Sequence, residues 1–170
     1  MEFSFKITTL LLTLLLTGLT AGLCFTWSNA VTPGIGKLTD LGYLQSFQEM
    51  NRAILNPLFM VVFMGPVVGH VANIFLFKSA SKEVFFMLLL AAILYVAGLA
   101  LVTIFGNVPL NELLDRSDLL TLNTDELTSL RAQFENKWNL FHTIRTCSTF
   151  LSFALLILSQ ALYLKNSITL

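Results

Sequence analysis

Two side chains in one apolar stretch near the end of the chain, His142 and Arg145, could carry acid–base or anion chemistry. They lie three residues apart, so a helix places them on successive turns of the same face. Imidazole titrates near neutral pH and can accept a proton from a substrate, while a guanidinium can stabilise the negative charge that results. We therefore predict that His142 is a general base and that Arg145 binds an anion or an oxyanion.

The same two residues also allow a structural interpretation. A histidine in a helical bundle can join two helices by a hydrogen bond. Arg145 lies a heptad after Trp138, on the order of 10 Å further along a helix, so its side chain can either extend back to the membrane surface or neutralise a group inside the bundle. The sequence alone leaves both interpretations open.

The composition of the chain is that of a membrane protein. Of its 170 residues, 55% are hydrophobic and only 12% are charged, and its mean hydropathy is +0.76. The formal net charge is zero and no basic cluster is long enough to follow a phosphate backbone, which argues against a nucleic-acid partner. Cys24 and Cys147 lie in apolar runs and form no metal-binding pattern. We expect the lipid bilayer to be the main partner.

Four apolar runs are each long enough to cross a hydrocarbon layer about 30 Å thick. We predict an all-α fold: a four-helix transmembrane bundle with two extracytoplasmic helical extensions, formed by residues 1–170 as a single membrane domain. Asn123 and Glu126 predict a capping box at the start of the last helix. The predicted spans are about residues 7–27, 56–77, 84–105 and 138–164, and the polar outer segments are residues 31–55 and 106–137.

The distribution of basic residues predicts the orientation of the bundle. Lysines cluster near one set of span ends, and the short segments that carry them favour the cytoplasmic side. We therefore expect a multi-pass protein of the cell membrane with both termini in the cytoplasm and both polar connections outside. These lysines are Lys6, Lys78, Lys82 and Lys165.

The stretch from Gly106 to Asn111 ends the most hydrophobic run of the chain with two asparagines and a proline. Gly106 can adopt the left-handed conformation that ends a helix, and Pro109 favours an extended residue before it. We therefore predict that the third span ends here, at the membrane surface.

Several asparagines fall near the same predicted membrane face as His142 and Arg145. Asparagine is common at helix caps and turns, which accounts for each of them individually. Together they could instead line one polar pocket with an apolar floor, the usual composition of a small-molecule site. The predicted substrate-binding residues are Asn51, Asn56, Asn107, Asn111 and Trp138.

A haem or metal centre does not fit the sequence. His70 and His142 lie at predicted depths that differ by roughly 15 Å, so one haem iron cannot bind both. No carboxylate occurs between Val84 and Phe105 or between Trp138 and Leu164 to complete a metal site. We predict no metal, and we interpret His70 as a packing or lipid-facing residue.

Three blocks of the sequence form a familiar combination. The first block extends from Ala21–Leu23 through Asn29 and Pro33 and includes the later Met50–Arg52 and Asn56–Pro57. The second block is Gly106–Asn111. The third block consists of Trp138, His142 and Arg145–Thr146. In these blocks the chain resembles the anthrone oxygenase-like (DUF1772) family of four-span membrane proteins. The resemblance covers nearly the whole chain, and Gly106–Asn111 is its most specific part. The family usually has Asn four residues after the Trp of the fourth span, where this chain has His142.

The resemblance implies an oxygenase that converts anthrones to anthraquinones with O₂ and without an added cofactor. By that analogy a base removes the acidic methylene proton, the delocalised anthrolate reduces O₂, and the protein stabilises the oxyanion in a dry site. His142 would be the base and Arg145 the oxyanion partner, while Asn51, Asn107 and Asn111 would hold the substrate oxygens. The implied ligand is a small hydrophobic aromatic molecule.

A competing hypothesis is that the protein is not an enzyme. A four-span membrane protein could use the same pocket to bind a lipid, a quinone-like ligand or a partner subunit. Oxygen chemistry that depends on His142 and Arg145 would separate the two hypotheses. Both leave a homo-oligomer possible.

Overall fold

The computed structural model describes residues 5–168, and every regular element in that range is a helix, as predicted. Three π-helical segments interrupt the long helices, one in α1 (Trp27–Val31) and two in α4 (Val96–Leu101 and Thr103–Asn107). The helices are α1 (Phe5–Ile35), α2 (Asp40–Ile54), α3 (Pro57–Leu76), α4 (Lys82–Asp115) and α5 (Thr124–Ile168).

Four of these helices, α1, α3, α4 and α5, are each long and apolar enough to cross a membrane. Large apolar side chains stay exposed along all four, for example Leu15, Val68, Phe86 and Leu151. Lipid tails accommodate such side chains, and each helix satisfies its own backbone hydrogen bonds. The protein is therefore a multi-pass membrane protein, and the predicted four-helix transmembrane bundle is confirmed.

Glycines let pairs of spans approach closely. A Cβ atom added to Gly65 of α3 would lie 2.8 Å from Leu16 of α1. One added to Gly106 of α4 would lie 2.8 Å from the Phe141 ring of α5. Because lipid provides no hydrophobic drive between helices, such close packing contributes much of their association. α1 packs against α3, α4 packs against α5, and α1 also contacts α5.

The helix that contains the third span does not end at Gly106, so the predicted helix stop is wrong. α4 continues to Asp115, and no glycine within the described residues has a positive φ. After its second π-helical segment, α4 continues as an α-helix over Val108–Asp115. Pro109 lies in the first turn of this part, where a missing N–H is tolerated. Gly106 is instead required because the Phe141 ring packs on its backbone.

One end of the bundle carries a polar cap, which consists of α2, the Val108–Asp115 part of α4 and the first turns of α5. Aromatic rings form the core of the cap. The ring centroid of Phe47 lies 4.7 Å from that of Phe134 and 4.8 Å from that of Trp138. Asn123 and Glu126 form the predicted capping box, with bonds of 2.8 Å and 3.0 Å. The cap thus closes the bundle around Trp138.

Arg131 of α5 attaches the α1–α2 connection to the cap. Its guanidinium donates to Asp40 at 3.0 Å, to Glu135 at 2.7 Å and to the carbonyl of Gly36 at 2.8 Å. It also lies 4.4 Å from the ring centroid of Tyr43, within cation–π range. These contacts fix where α1 ends relative to α5.

Acid should weaken this attachment through Asp40. Thr128 donates to one oxygen of Asp40 at 2.6 Å. That bond, together with the guanidinium of Arg131, holds the pKa of Asp40 below its usual range. A carboxylate whose pKa is lower in the folded chain contributes stability above its unfolded pKa, about 3.9, and loses it as the pH falls through the folded pKa.

We therefore expect the melting temperature of the detergent-solubilised protein to fall below about pH 4. As the pH is lowered, the melting temperature of Asp40→Asn should fall less steeply than that of the wild type. The exposed Asp125→Asn is the control and should keep the wild-type pH profile. Equal acid sensitivity of Asp40→Asn and the wild type would contradict this assignment.

Candidate functional site

The centre of the candidate site is a stack of three side chains on α5. The ring centroids of Trp138 and His142 lie 4.9 Å apart with an interplanar angle of 19°. The guanidinium carbon of Arg145 lies 5.2 Å from the Trp138 ring centroid. Arg145 Nη2 also lies 2.9 Å from His142 Nδ1. The structure thus places the two residues predicted to do chemistry in direct contact.

The hydrogen bonds of His142 define its tautomer. A guanidinium can only donate, so Nδ1 accepts from Arg145 and the ring proton is on Nε2. Nε2 faces the carbonyl oxygen of Cys24 at 3.2 Å and Oγ of Ser28 at 3.0 Å. His142 is therefore a neutral imidazole that joins α1 to α5, with its basic nitrogen covered by Arg145.

Arg145 has no counter-ion within residues 5–168. Its Nη1 donates to Thr103 Oγ1 of α4 at 3.3 Å, and its buried Nε has no hydrogen-bond partner in that range. The half-buried side chain thus reaches back along α5 to the Trp138 ring and contacts α4 on the way. A cation at span depth with free N–H groups favours an anionic or oxygen-rich ligand.

Two of the predicted asparagines hold Trp138 in place. Asn107, which is 0% exposed, donates from Nδ2 to the Trp138 carbonyl at 3.2 Å. Asn111 Oδ1 accepts from the indole Nε1 at 2.8 Å. Because Trp138 supports both His142 and Arg145, the asparagines of α4 control the position of the stack.

The other two predicted asparagines lie on the polar cap and at the start of α3. Asn56 is exposed and caps α3, where its Oδ1 accepts from the Phe59 N–H at 2.9 Å. Asn51 is half-buried on α2, and its Nδ2 has no partner among the described residues. The structure thus brings Asn107 and Asn111 to the stack and uses Asn56 as a helix cap.

Three residues that touch the stack were not predicted from the sequence. Ser28 contacts His142, Thr103 contacts Arg145, and the Trp27 ring lies 5.7 Å from that of Trp138. Short hydroxyl side chains occur throughout these spans, so nothing in the sequence distinguishes Ser28 or Thr103 from the others. The buried Nε1 of Trp27 has no acceptor within the described part of the chain.

Of the five side chains of α1 and α4 described above as contacts of the stack, four lie in π-helical segments and only Asn111 does not. Trp27 and Ser28 lie in the segment Trp27–Val31, and Thr103 and Asn107 lie in the segment Thr103–Asn107. A π-helical turn inserts an extra residue and so changes which side chains face the bundle interior. Such turns are frequent at functional sites. Their occurrence on both helices that face the α5 stack supports a functional role for it.

Two cavities lie outside the stack. A groove of about 750 Å³ runs along the polar cap between α2 and the end of α4, and Gln48, Arg52 and Asp115 are among its lining residues. A smaller groove of about 230 Å³ lies between α1 and α3, next to Thr13 and Gly69. Trp138, His142 and Arg145 are not among the described residues that line these two cavities.

No metal-binding cluster is evident in the described range. Within residues 5–168, no group of three or more His, Cys, Asp or Glu side chains is arranged to hold a metal ion. His70 and His142 also contact different residues, since His70 lies against Tyr95 of α4 and Ser152 of α5.

The bond between Trp138 and Asn111 should contribute measurably to stability. We expect Trp138→Phe and Asn111→Ala each to lower the free energy of unfolding, and the double variant to lower it by less than their sum. The coupling energy should be about 1 kcal/mol, the usual net value of one hydrogen bond. Reversible unfolding in mixed micelles measures it. Strict additivity would show that this bond contributes nothing.

Comparison with known proteins identifies one family. The sequence profile described as anthrone oxygenase matches residues 59–155, which is more than half of the chain and includes the whole α5 stack. Searches of curated proteins and of solved structures gave no match. The resemblance noted from the sequence blocks is thus confirmed by an independent profile. The chain is a multi-pass membrane protein of the anthrone oxygenase (DUF1772) family.

Proposed function

We propose that this protein oxidises a hydrophobic aromatic substrate of the anthrone type with O₂ and without an added cofactor. The observation that carries the proposal is Arg145. It is a cation at span depth that has no carboxylate partner within residues 5–168, rests on an aromatic ring and contacts the only histidine of the stack. Such a group is suited to bind the enolate oxygen of a flat aromatic anion.

The overall reaction balances without a second reductant. The methylene carbon of the anthrone loses two hydrogens and gains one oxygen atom, which becomes the second carbonyl of the anthraquinone. The other oxygen atom of O₂ leaves as water with those two hydrogens. The substrate therefore supplies all four electrons that reduce O₂, so the protein has to provide a base, an oxyanion site and a dry environment.

The contact between Arg145 and His142 suggests how the base becomes available. Nδ1 of His142 is covered by the guanidinium in the ligand-free chain. When the substrate oxygen draws the guanidinium away, Nδ1 is free to take the methylene proton. Nε2 keeps its bond to the Cys24 carbonyl or Ser28 and holds the ring in place. Substrate binding thus activates the base only when an oxyanion partner is already in position.

Other polar groups around the stack would orient the substrate. Arg145 would hold the developing oxyanion, and its electrostatic effect is larger where water is excluded. The free donor of Trp27, whose ring packs on Trp138, is available to a further oxygen atom of the substrate. Asn107 and Asn111 would act by holding Trp138, which forms one face of the site.

Two features of His142 favour a non-catalytic role. His142 stands where the family usually has Asn, and its basic nitrogen is occupied by Arg145. A neutral, occupied imidazole is suited to binding as well as to catalysis. In that case the same stack would bind a quinone-like ligand, a lipid or a partner subunit through Arg145 without oxygen chemistry.

The positions of the lysines bear on the orientation of the bundle in the membrane. We propose that the polar cap faces the outside of the cell membrane and that both termini are cytoplasmic, because the lysine-rich segments lie at the opposite end of the bundle. A hydrophobic substrate dissolved in the bilayer would then reach the stack near the outer membrane surface.

Oxygen uptake by the detergent-purified protein tests the proposed function. The assay uses anthrone with a chelator present, and background autoxidation is subtracted. We expect His142→Ala and Arg145→Ala to lower the rate by about a hundredfold or more, the usual effect of removing a general base or an oxyanion donor. Thr143→Val, on an exposed face of the same helix, is the control and should keep the wild-type rate.

His142→Asn separates the two roles of this position. If His142 is the base, the family residue Asn cannot replace it and uptake falls as in His142→Ala. Full activity of His142→Asn would contradict the base assignment while leaving Arg145 as the oxyanion partner. Uptake at the background rate in the folded wild type would reject anthrone oxygenation and favour the ligand-binding role.

A further inference from the structure

A second buried polar cluster lies in the middle of the bundle, outside the α5 stack. It contains His70 and Asn73 of α3, each 1% exposed, and Thr13 and Thr17 of α1, at 2% and 0% exposed. His70 therefore faces the bundle interior and not the lipid. The neighbouring spans contribute as well, since the His70 ring lies 5.1 Å from that of Tyr95 on α4 and α5 supplies Ser152.

Other buried polar groups in this region have hydrogen-bond partners on neighbouring spans. Pro66 has no N–H, so the carbonyl of Val62 loses its partner within the helix. Thr20 of α1 donates to that carbonyl at 2.9 Å. The next carbonyl, that of Phe63, accepts from Tyr95 OH at 2.9 Å. Even backbone groups released by a proline kink thus receive partners from other spans.

Three side-chain atoms of the cluster are exceptions. His70 Nδ1, Asn73 Oδ1 and Thr17 Oγ1 are buried and have no hydrogen-bond partner among the residues that the structure describes. α1 and α3 are joined by bonds from Asn73 to Thr13 and from Thr20 to Val62. This antiparallel register places Thr17 on the stretch of α1 that faces α3 between Val62 and Asn73, and that stretch of α3 contains His70. The three atoms therefore lie on facing stretches of two helices.

The surrounding hydrogen bonds determine whether each of the three atoms can donate or accept a hydrogen bond. Ser152 donates to the carbonyl of Ala91 at 2.8 Å, so its oxygen can only accept from His70 Nε2, and His70 Nδ1 is left as an acceptor. Thr13 donates to the carbonyl of Thr9, so it accepts from Asn73 Nδ2, and Asn73 Oδ1 is also an acceptor. Thr17 retains a hydroxyl proton to donate.

We infer that these groups form an internal water site at the middle of the membrane. A water molecule has two protons to donate, to His70 Nδ1 and Asn73 Oδ1, and an oxygen that accepts from Thr17. Two acceptors and one donor are the complement of one water, and buried waters typically make about three hydrogen bonds. A cation is a poor alternative because the spans around the cluster contain no Asp or Glu within residues 5–35, 57–76, 84–105 and 138–164.

Solid-state NMR of the protein in lipid bilayers tests this inference. The sequence has two histidines, so His142→Asn assigns the remaining imidazole signal to His70. We expect magnetisation from water to reach the His70 ring much faster than it reaches the side chains of Leu88 and Leu99, which are 1% and 0% exposed and purely apolar. Transfer to His70 that is as slow as transfer to these leucines would overturn the proposal.

Thr17→Val provides the matched test of the site itself. It should slow the transfer from water to His70, because it removes one of the three groups that hold the water. Thr149→Val is the control, since Thr149 is also 0% exposed but its hydroxyl is already bonded to the Arg145 carbonyl at 2.6 Å. It should leave the transfer unchanged.

The melting temperature provides a second readout. In a dry site, Thr17→Val replaces an unpaired hydroxyl by a methyl group of the same shape, and the melting temperature should rise. In a hydrated site the same change removes a made hydrogen bond, so the melting temperature should stay the same or fall. A higher melting temperature for Thr17→Val than for the wild type would overturn the water site.

Discussion

The structure depends on a guanidinium that is held inside a membrane bundle without a carboxylate partner in the described chain. Arg145 is kept there by three weak interactions: the face of Trp138, the Nδ1 lone pair of His142 and the hydroxyl of Thr103. None of them neutralises its charge. Burying a cation in this way is costly, and under the proposed function a ligand that brings negative charge or several oxygen atoms would offset that cost.

The rest of the fold positions this cation. α5 continues from the polar cap into the membrane without a break, so Trp138, His142 and Arg145 form one column on a rigid helix. Asn107 and Asn111 hold Trp138 from α4, while Ser28 and the Cys24 carbonyl hold His142 from α1. Close packing at Gly106 brings α4 near enough to make these bonds. The three helices that carry these contacts form the site, and α3 contributes the separate cluster around His70.

The sequence predicts the parts of this structure that follow from local patterns. Runs of apolar residues predict the four spans, and Asn123 with Glu126 predicts the start of α5. The spacing of His142 and Arg145 predicts that they meet, because both lie on one helix. In each case the information is carried by neighbouring residues of a single element.

The sequence does not predict features that arise between helices. Gly106 and Pro109 carry the local signals of a helix end, but tertiary packing of Phe141 on Gly106 and a π-helical turn keep α4 continuous. Ser28 and Thr103 acquire their roles only because π-helical turns direct them at His142 and Arg145. The contacts of His142 with Ser28 and the Cys24 carbonyl likewise depend on how α1 packs against α5.

Binding of the substrate oxyanion by Arg145 can be measured separately from oxygen chemistry. The purified protein is mixed with anthrone under strictly anaerobic conditions, and the absorbance of the delocalised anthrolate is recorded. If Arg145 binds the substrate oxyanion, the wild type should accumulate bound anthrolate at a pH where free anthrone stays neutral, and Arg145→Ala should not. Anthrone that remains neutral in the folded wild type, or equal anthrolate formation by Arg145→Ala, would show that Arg145 does not bind the substrate oxyanion.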